Sequence, residues 1–183
     1  MGYFNSVPDE NIWTDKILKW IVDIGLVILC AVLFIHFFAS DEKMEGKSME
    51  TAIASGDYVL VNKLTYYFFT PARGDVVVFQ NEDGETSIKR IVGVPGDKVQ
   101  IKEGELYLNG KADTQRSKRE KIVNAGLAEE EITIPRNEYF VMGDDSNRSE
   151  DSRFTSVGCI KESDIIGKVW MKAAPFTHIG LVQ

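Results

Sequence analysis

The sequence has 183 residues, of which 44% are hydrophobic and 27% charged, and this length leaves room for one apolar anchor and one globular domain rather than two domains. The net charge of −7 argues against nucleic acid as a partner, because phosphate-binding surfaces need clustered Lys and Arg. Two cysteines, Cys30 and Cys159, are too few for a disulfide framework.

The first predicted element is a transmembrane helix over residues 18–39, preceded by a short tail over residues 1–17. From Trp20 to Ala39 the chain is almost wholly apolar, and 20 residues of helix span about 30 Å. A buried core helix is the alternative, but the stretch from Ile24 to Ile35 has no polar face. The tail lacks the basic start that is typical of a cleavable secretory signal.

Charges on either side of this segment predict its orientation. Lys16 and Lys19 lie on the N-terminal side, whereas Asp41, Glu42 and Lys43 follow the segment. The positive-inside rule therefore keeps the N-terminus in the cytoplasm. We expect a single-pass protein of the cell membrane whose main domain lies on the outer face.

Residues 40–183 predict a compact β domain, because short runs rich in Val, Ile, Tyr and Phe alternate with turn residues. Gly84 and the pair Asn109-Gly110 are typical of hairpin turns. A charged segment near 113–131 is predicted to form a helix or a mobile insert rather than core. The predicted strands are Tyr58–Lys63, Asp75–Gln80, Ser87–Val94, Lys98–Lys102, Glu105–Leu108, Glu138–Met142 and Ile165–Met171.

Ser48, just beyond the apolar run, is the candidate nucleophile. A serine hydroxyl needs a base to take its proton, and the chain has only two histidines. His36 lies inside the apolar run and His178 lies near the C-terminus, so neither is well placed. Lys89 stands in a strand-like run, from which its amine could reach an apolar site. A Ser/Lys dyad is the working hypothesis.

Four motifs follow one another in an order that resembles the type I signal peptidases. They are Gly46-x-Ser48-Met49, then Gly56–Lys63, then Arg73–Phe79 leading to Lys89–Asp97, and finally Met142–Phe154. The resemblance covers nearly the whole chain from the apolar run to Lys168. It implies a mostly β fold in which an antiparallel sheet domain follows one transmembrane helix.

The resemblance also implies roles for individual residues. Ser48 corresponds to the nucleophile and Lys89 to the general base. Ser149 resembles the serine that orients the lysine amine, and Asp151 and Arg153 resemble its supporting ion pair.

Two further residues are assigned to the oxyanion site and the substrate pocket, namely Gly46 and Met49. Gly46 stands where other branches of the family place a hydroxyl that binds the oxyanion, so only backbone amides can serve here. Thr51 and Ala52 depart from the family, which has Pro and Thr at these positions. The chain therefore lacks a proline that would stiffen the turn beside the nucleophile.

The implied function is removal of signal peptides from exported preproteins with small residues at positions −1 and −3, without a cofactor or metal and in contact with membrane lipid. One alternative is a specialised factor for pilus or surface-protein assembly that acts on pilin precursors or has no proteolytic activity. A self-cleaving repressor of related fold is a weaker alternative, because such proteins carry a DNA-binding region where this chain has an apolar helix.

Overall fold

The computed structural model describes residues 12–81, 83–114 and 120–182. Two compact units, Met1–Phe38 and Ala39–Gln183, make up the chain. The tail predicted over 1–17 lies mostly outside the described residues, as does the stretch 115–119 of the charged insert. The side chain of His36 is also outside them.

The first unit contributes helix α1 (Ile12–Phe38). Large apolar side chains project from consecutive positions of this helix, so they cover all of its faces, and they are exposed, as in Trp20 at 69% and Val27 at 67%. Among the described residues, the structure contains no helix with both the length and the hydropathy that a membrane span requires. The helix predicted over 18–39 is therefore present, and a membrane span is not shown.

The second unit consists mainly of antiparallel strands. They are β1 (Ala39–Lys43), β2 (Tyr58–Asn62), β3 (Val76–Gln80), β4 (Thr86–Gly93), β5 (Lys98–Lys102), β6 (Glu105–Leu108), β7 (Lys111–Ala112), β8 (Ile132–Thr133), β9 (Glu138–Met142), β10 (Ile160–Lys161), β11 (Ile165–Ala174) and β12 (Gly180–Leu181). A short helix, α2 (Thr65–Phe68), follows β2. All seven predicted strands are confirmed, with small differences at their ends.

The larger sheet contains eight strands in the order β1-β2-β11-β3-β4-β9-β10, with β12 paired to β11. Strand β3 lies in its middle, and Val76 to Phe79 are buried on both faces of the sheet. Such a run of apolar residues is typical of a strand covered on both sides. Within the described strands, β1 and β10 form the two edges.

The smaller sheet has the order β7-β6-β5-β8. Its hairpin between β6 and β7 turns at Asn109 and Gly110, whose φ angles are 51° and 77°. Two consecutive positive φ angles define the type I′ turn that Asn-Gly favours, so the predicted hairpin is confirmed.

The charged segment near 113–131 contributes to the core, contrary to the prediction. Ile122 is 6% exposed and Ala128 is fully buried, and both pack in a cluster with Val99 and Leu106. Its described residues contain one short 3-10 helix, Gly126–Glu129, where an α-helix or a mobile insert was expected. The few apolar residues of this segment therefore anchor a loop to the core and do not form one face of a helix.

Candidate functional site

Ser48 lies in the loop that joins β1 to β2. Two backbone hydrogen bonds close this loop at its base, from the amide of Met44 to the carbonyl of Asp57 at 2.8 Å and from the amide of Gly56 to the carbonyl of Met44 at 2.9 Å. At its other end, the carbonyl of Ser48 accepts from the amide of Asp145 at 2.9 Å. The loop therefore holds a serine that is only 6% exposed.

Lys89 reaches Ser48 from strand β4. A hydrogen bond joins its Nζ to Oγ of Ser48 at 3.0 Å, across 41 positions of sequence. Strand β4 pairs with β3 so that Lys89 stands opposite Val77, which is fully buried. Because cross-strand partners share a face of the sheet, this register points the lysine into the apolar interior, where it is 8% exposed.

Burial lowers the pKa of Lys89 below its ordinary value of 10.5. The carboxylates of Asp151 and then Glu150 oppose this shift, and the Arg153 guanidinium adds to it. Desolvation is the largest of these effects, because an ammonium ion loses its hydration when it is buried. The shift increases the share of the neutral amine, which is the form able to accept a proton.

Asp151 and Arg153 form a buried ion pair beside this dyad. The Nε of Arg153 donates to Oδ1 of Asp151 at 2.8 Å, and both side chains are almost fully buried. The guanidinium also donates to the carbonyls of Asn124 at 2.8 Å and Ser146 at 2.5 Å. Oδ2 of Asp151 accepts from the amide of Gly143 at 3.1 Å. The pair thus joins the charged insert to the segment that follows β9.

Ser149 lies close to this pair, and its Oγ accepts from the amide of Gly143 at 3.1 Å. No described hydrogen bond joins Ser149 to Lys89, although the resemblance gives this serine the task of orienting the lysine. A Cβ atom on Gly143 would lie 2.5 Å from Cβ of Ser149 and 2.7 Å from the carbonyl oxygen of Ser48. Only glycine fits where these two segments meet.

Arg90, next to Lys89 on β4, forms a second ion pair with Asp144. Its Nε and Nη2 donate to the two carboxylate oxygens, each at 2.8 Å, and Nη1 donates to the carbonyl of Gly74. A bidentate pair of this kind fixes geometry as well as charge. It holds the residue before Asp145 against β4, and the amide of Asp145 in turn holds Ser48.

A groove of about 250 Å³ opens beside the dyad. Its walls come from β1 and the following residues on one side and from the first half of β4 on the other, and it is lined by Glu42, Lys43, Met44, Glu45, Ser48, Thr86, Ser87, Ile88 and Lys89. Strands β1 and β4 are separated by three strands in the sheet order, so the sheet curls to bring them together.

Both walls of the groove carry backbone edges that no described strand covers. Strand β1 lies at the edge of the sheet, and β9 pairs with β4 only from Arg90 onward. The backbone of residues 86–89 therefore has β3 on one side and the groove on the other. Such edges can accept an extended peptide as an added strand.

Met49, assigned to the substrate pocket by the resemblance, is not among the residues that line this groove. It is fully buried and packs with Ile53, Val59 and Val61 under the loop. Gly46 is exposed near the mouth and has a φ of 84°, a backbone conformation that suits glycine. Sequence reasoning missed Glu42 and Met44 as groove residues, because the predicted helix extended almost to them.

Two other features lie apart from the dyad. His178 contacts Asp57 at 2.9 Å between Nδ1 and Oδ1, and it does not line the groove. A larger cavity of about 750 Å³ is lined by other residues, among them Lys63, Tyr67 and Arg136. Within the described ranges, no three His, Cys, Asp or Glu side chains come together in a way that could hold a metal ion.

The sequence matches the family model described as signal peptidase, peptidase S26, over residues 17–173. It is 35% identical to signal peptidase I T of Bacillus subtilis strain 168, over 91% of this chain and 90% of that protein. It is 30% identical to signal peptidase IB of Staphylococcus aureus strain COL, over 89% of this chain and 92% of that protein.

A crystal structure of a signal peptidase I from Enterococcus faecalis V583 is similar at a TM-score of 0.44 and 28% identity, over 55% of this chain and 97% of that one. The family match covers most of the chain, and the identities to the two curated signal peptidases extend over about nine tenths of it. The chain therefore belongs to the signal peptidase S26 family and is a type I signal peptidase.

Proposed function

We propose that the protein is a membrane-bound serine endopeptidase that removes signal peptides from exported preproteins through a Ser48/Lys89 dyad. The observation that carries this proposal is the 3.0 Å contact between Nζ of Lys89 and Oγ of Ser48, with both side chains buried beside an open groove. A nucleophile and its base need to lie within hydrogen-bond reach of one another. The lowered pKa of Lys89 supports the role of base.

The reaction begins when Oγ of Ser48 forms a bond to the scissile carbonyl carbon while its proton moves to the neutral amine of Lys89. Collapse of the tetrahedral intermediate breaks the C–N bond, and Lys89 gives that proton to the leaving amine of the mature protein. The signal peptide is left as an ester on Ser48. Water then attacks the ester, Lys89 takes a proton from it, and the signal peptide leaves as Ser48 regains its hydrogen.

The developing oxyanion needs hydrogen-bond donors that are already in place. The backbone amide of Ser48 is the first candidate in this chain, because Gly46 brings no side-chain donor. The positive φ of Gly46 supports this assignment, since it allows the sharp approach of the chain to Ser48.

We assign the supporting role to Asp151 and Arg153 together with Ser149. The two charges act on the pKa of Lys89 in opposite directions, since Asp151 raises it and Arg153 lowers it. Ser149 and Asp151 both accept from the amide of Gly143, which ties the two side chains to the same point of the backbone. Their part is to hold the lysine and the Ser48 loop in register.

The substrate is assigned to the groove as an extended segment between the uncovered edges of β1 and β4. Added strands gain backbone hydrogen bonds, and their alternate side chains point into the enzyme. The size of the groove, about 250 Å³, favours small residues at positions −1 and −3.

We further propose that α1 holds the enzyme at the cell membrane, with the N-terminus in the cytoplasm and the catalytic domain on the outer face. The support is the apolar surface that this helix exposes on every face, including Leu26 at 57% and Leu29 at 54%. Apolar surface of that extent needs a partner, and lipid would provide one.

Replacing Ser48 or Lys89 with Ala tests the dyad. Each variant should lose cleavage of a purified preprotein by roughly 10⁴-fold or more while keeping its far-ultraviolet circular dichroism spectrum. His178→Ala serves as the control and should keep most of the activity, because His178 is bound to Asp57 outside the groove. A folded Ser48→Ala or Lys89→Ala enzyme with full activity would remove the dyad. A native enzyme that fails on every small-residue substrate except pilin precursors would favour the assembly factor.

A further inference from the structure

Glu42 points from the edge strand β1 toward the face of the sheet that covers the core. The register places Glu42 opposite Val59 and Ser40 opposite Val61. Cross-strand partners share a face, and both valines are fully buried in the core. Ser40 and Glu42 therefore project inward, where Glu42 lines the groove.

The carboxylate of Glu42 stands there without a counterion. Among the described residues, it takes part in no hydrogen bond or ion pair, although it is partly buried. Glu50 on the other side of the Ser48 loop differs, since it is paired with Arg148 at 3.2 Å. A carboxylate left in this state favours a ligand that brings donors.

The charges lining the groove have a negative excess once Lys89 is neutral. Glu42 and Glu45 contribute carboxylates, and both line the groove. Lys43 is exposed and also lines the groove, so the two carboxylates outnumber its ammonium group. With Lys89 neutral, the lining that follows β1 thus keeps a net negative charge where an added strand would lie.

We propose that Glu42 is a specificity-determining residue that selects preproteins carrying a lysine or arginine in the segment bound along β1. The inference rests on the proposed function, because it takes the groove beside Ser48 as the peptide site. A peptide strand in this groove sends every second side chain toward the inner face. An ammonium or guanidinium group there would pair with Glu42. A glutamate at the same place would meet a like charge without a counterion.

The test uses the full chain in detergent and a set of peptides cut at one bond. In each peptide, one position flanking the bond carries Lys, Gln or Glu in turn, and kcat/KM is measured for all three. We expect one position at which Lys is preferred over Glu by about tenfold, with a smaller preference at high salt. Glu42→Gln should remove this preference, and Glu42→Lys should reverse it.

Asp41→Asn is the matched control, because Asp41 is an exposed carboxylate next to Glu42 on the opposite face of β1. It should leave the ratio of Lys to Glu peptides unchanged. A ratio that Glu42→Gln does not alter, or a native enzyme without preference at any position, would overturn the inference. Either result leaves the dyad standing as long as Ser48→Ala is inactive on the same peptides, so the two proposals fail separately.

Discussion

The buried position of Lys89 on β4 disfavours the protonated amine, and this supports the proposed role of Lys89 as general base. A lysine with its ordinary pKa of 10.5 is almost wholly protonated at neutral pH and cannot accept a proton from serine. Desolvation lowers this pKa, and the buried ammonium destabilises the folded state fully at pH values below the lowered pKa. That cost shrinks as the pH rises from the lowered pKa to the ordinary one, because over this range the folded protein releases its proton while the unfolded chain still holds one.

The first residue-scale prediction is the pH dependence of cleavage. Because the neutral amine is the base, kcat/KM should rise with pH through the lowered pKa of Lys89 and level off above it. Steady-state kinetics on a preprotein across the alkaline and neutral range would check this. An ascending limb near the ordinary histidine value of about 6.5 that disappears in His178→Ala would contradict it.

The second residue-scale prediction concerns Gly143. Gly143→Ala would push its new methyl group into Ser149 and the Ser48 carbonyl, so kcat should fall by roughly 100-fold even where the fold survives. Overpacking should also cost about 1–3 kcal/mol of unfolding free energy.

Gly180→Ala is the matched control for this change. A Cβ atom there would meet only the end of the Lys172 side chain, at 4.0 Å, and its backbone needs no positive φ. The control should keep both its activity and its urea midpoint. Normal activity in Gly143→Ala would mean that the two segments can separate without moving Ser48.

Among elements, the segment after β9 does most to assemble the site. Arg153 ties it to the charged insert through Asn124, and Arg90 ties it to β4 through Asp144. In a buried ion pair of this kind, the cost of desolvation offsets much of the attraction between the charges. Removing one partner is nevertheless strongly destabilising, because it leaves an unpaired charge in the interior.

The element-scale prediction is that Arg153→Met destabilises the protein strongly. Asp151 would be left buried without its partner, at a cost of roughly 3–5 kcal/mol by urea denaturation. Arg148→Met is the matched control, since Arg148 is 60% exposed and pairs with Glu50 at the surface. The control should change the unfolding free energy by less than about 1 kcal/mol. Equal effects of the two changes would show that the buried pair has no special part in joining these segments.

The elements that the sequence predicted well are those in which composition and burial agree. The strand around Lys89 and the hairpin at Asn109 are examples, because β-branched residues and Asn-Gly act locally. Strand β1 was missed, since its sequence Ala-Ser-Asp-Glu-Lys is polar and only the pairing with β2 makes it a strand. Pairing between distant segments is a tertiary effect that no local pattern contains.

The same distinction applies to the site. Motif order pointed to Ser48 and Lys89, and the structure brings them within 3.0 Å. It did not predict that Met49 would be core, because methionine suits both a pocket and an interior. The unpaired carboxylate of Glu42 could not be predicted either, since it depends on which face of an unforeseen strand the residue occupies.

At the scale of the whole molecule, the two units differ in how their apolar side chains are distributed between surface and core. The helix α1 exposes apolar side chains throughout its described part, whereas the second unit has three buried apolar clusters of its own, although it also exposes side chains such as Tyr67 and Phe68. A domain with its own core should fold without the helix.

The whole-molecule prediction is that residues 39–183 alone keep a cooperative thermal transition and cleave a short peptide, while the full chain sediments with membranes. Fractionation of expressing cells, with carbonate and detergent washes, would locate each form. Full chain that stays in the supernatant would contradict the membrane proposal. Loss of the transition on truncation would show that the helix is needed for folding.

The uncovered edge of β1 has a consequence for the association of the protein with other chains. An open edge offers unpaired backbone groups to any strand, including those of other copies of the same chain. Strand β1 carries Asp41, Glu42 and Lys43 in a row, and charges on an edge discourage such pairing. A catalytic groove built from sheet edges has to bind a substrate peptide transiently without forming a stable sheet with another chain. The charged side chains along β1 are compatible with both requirements.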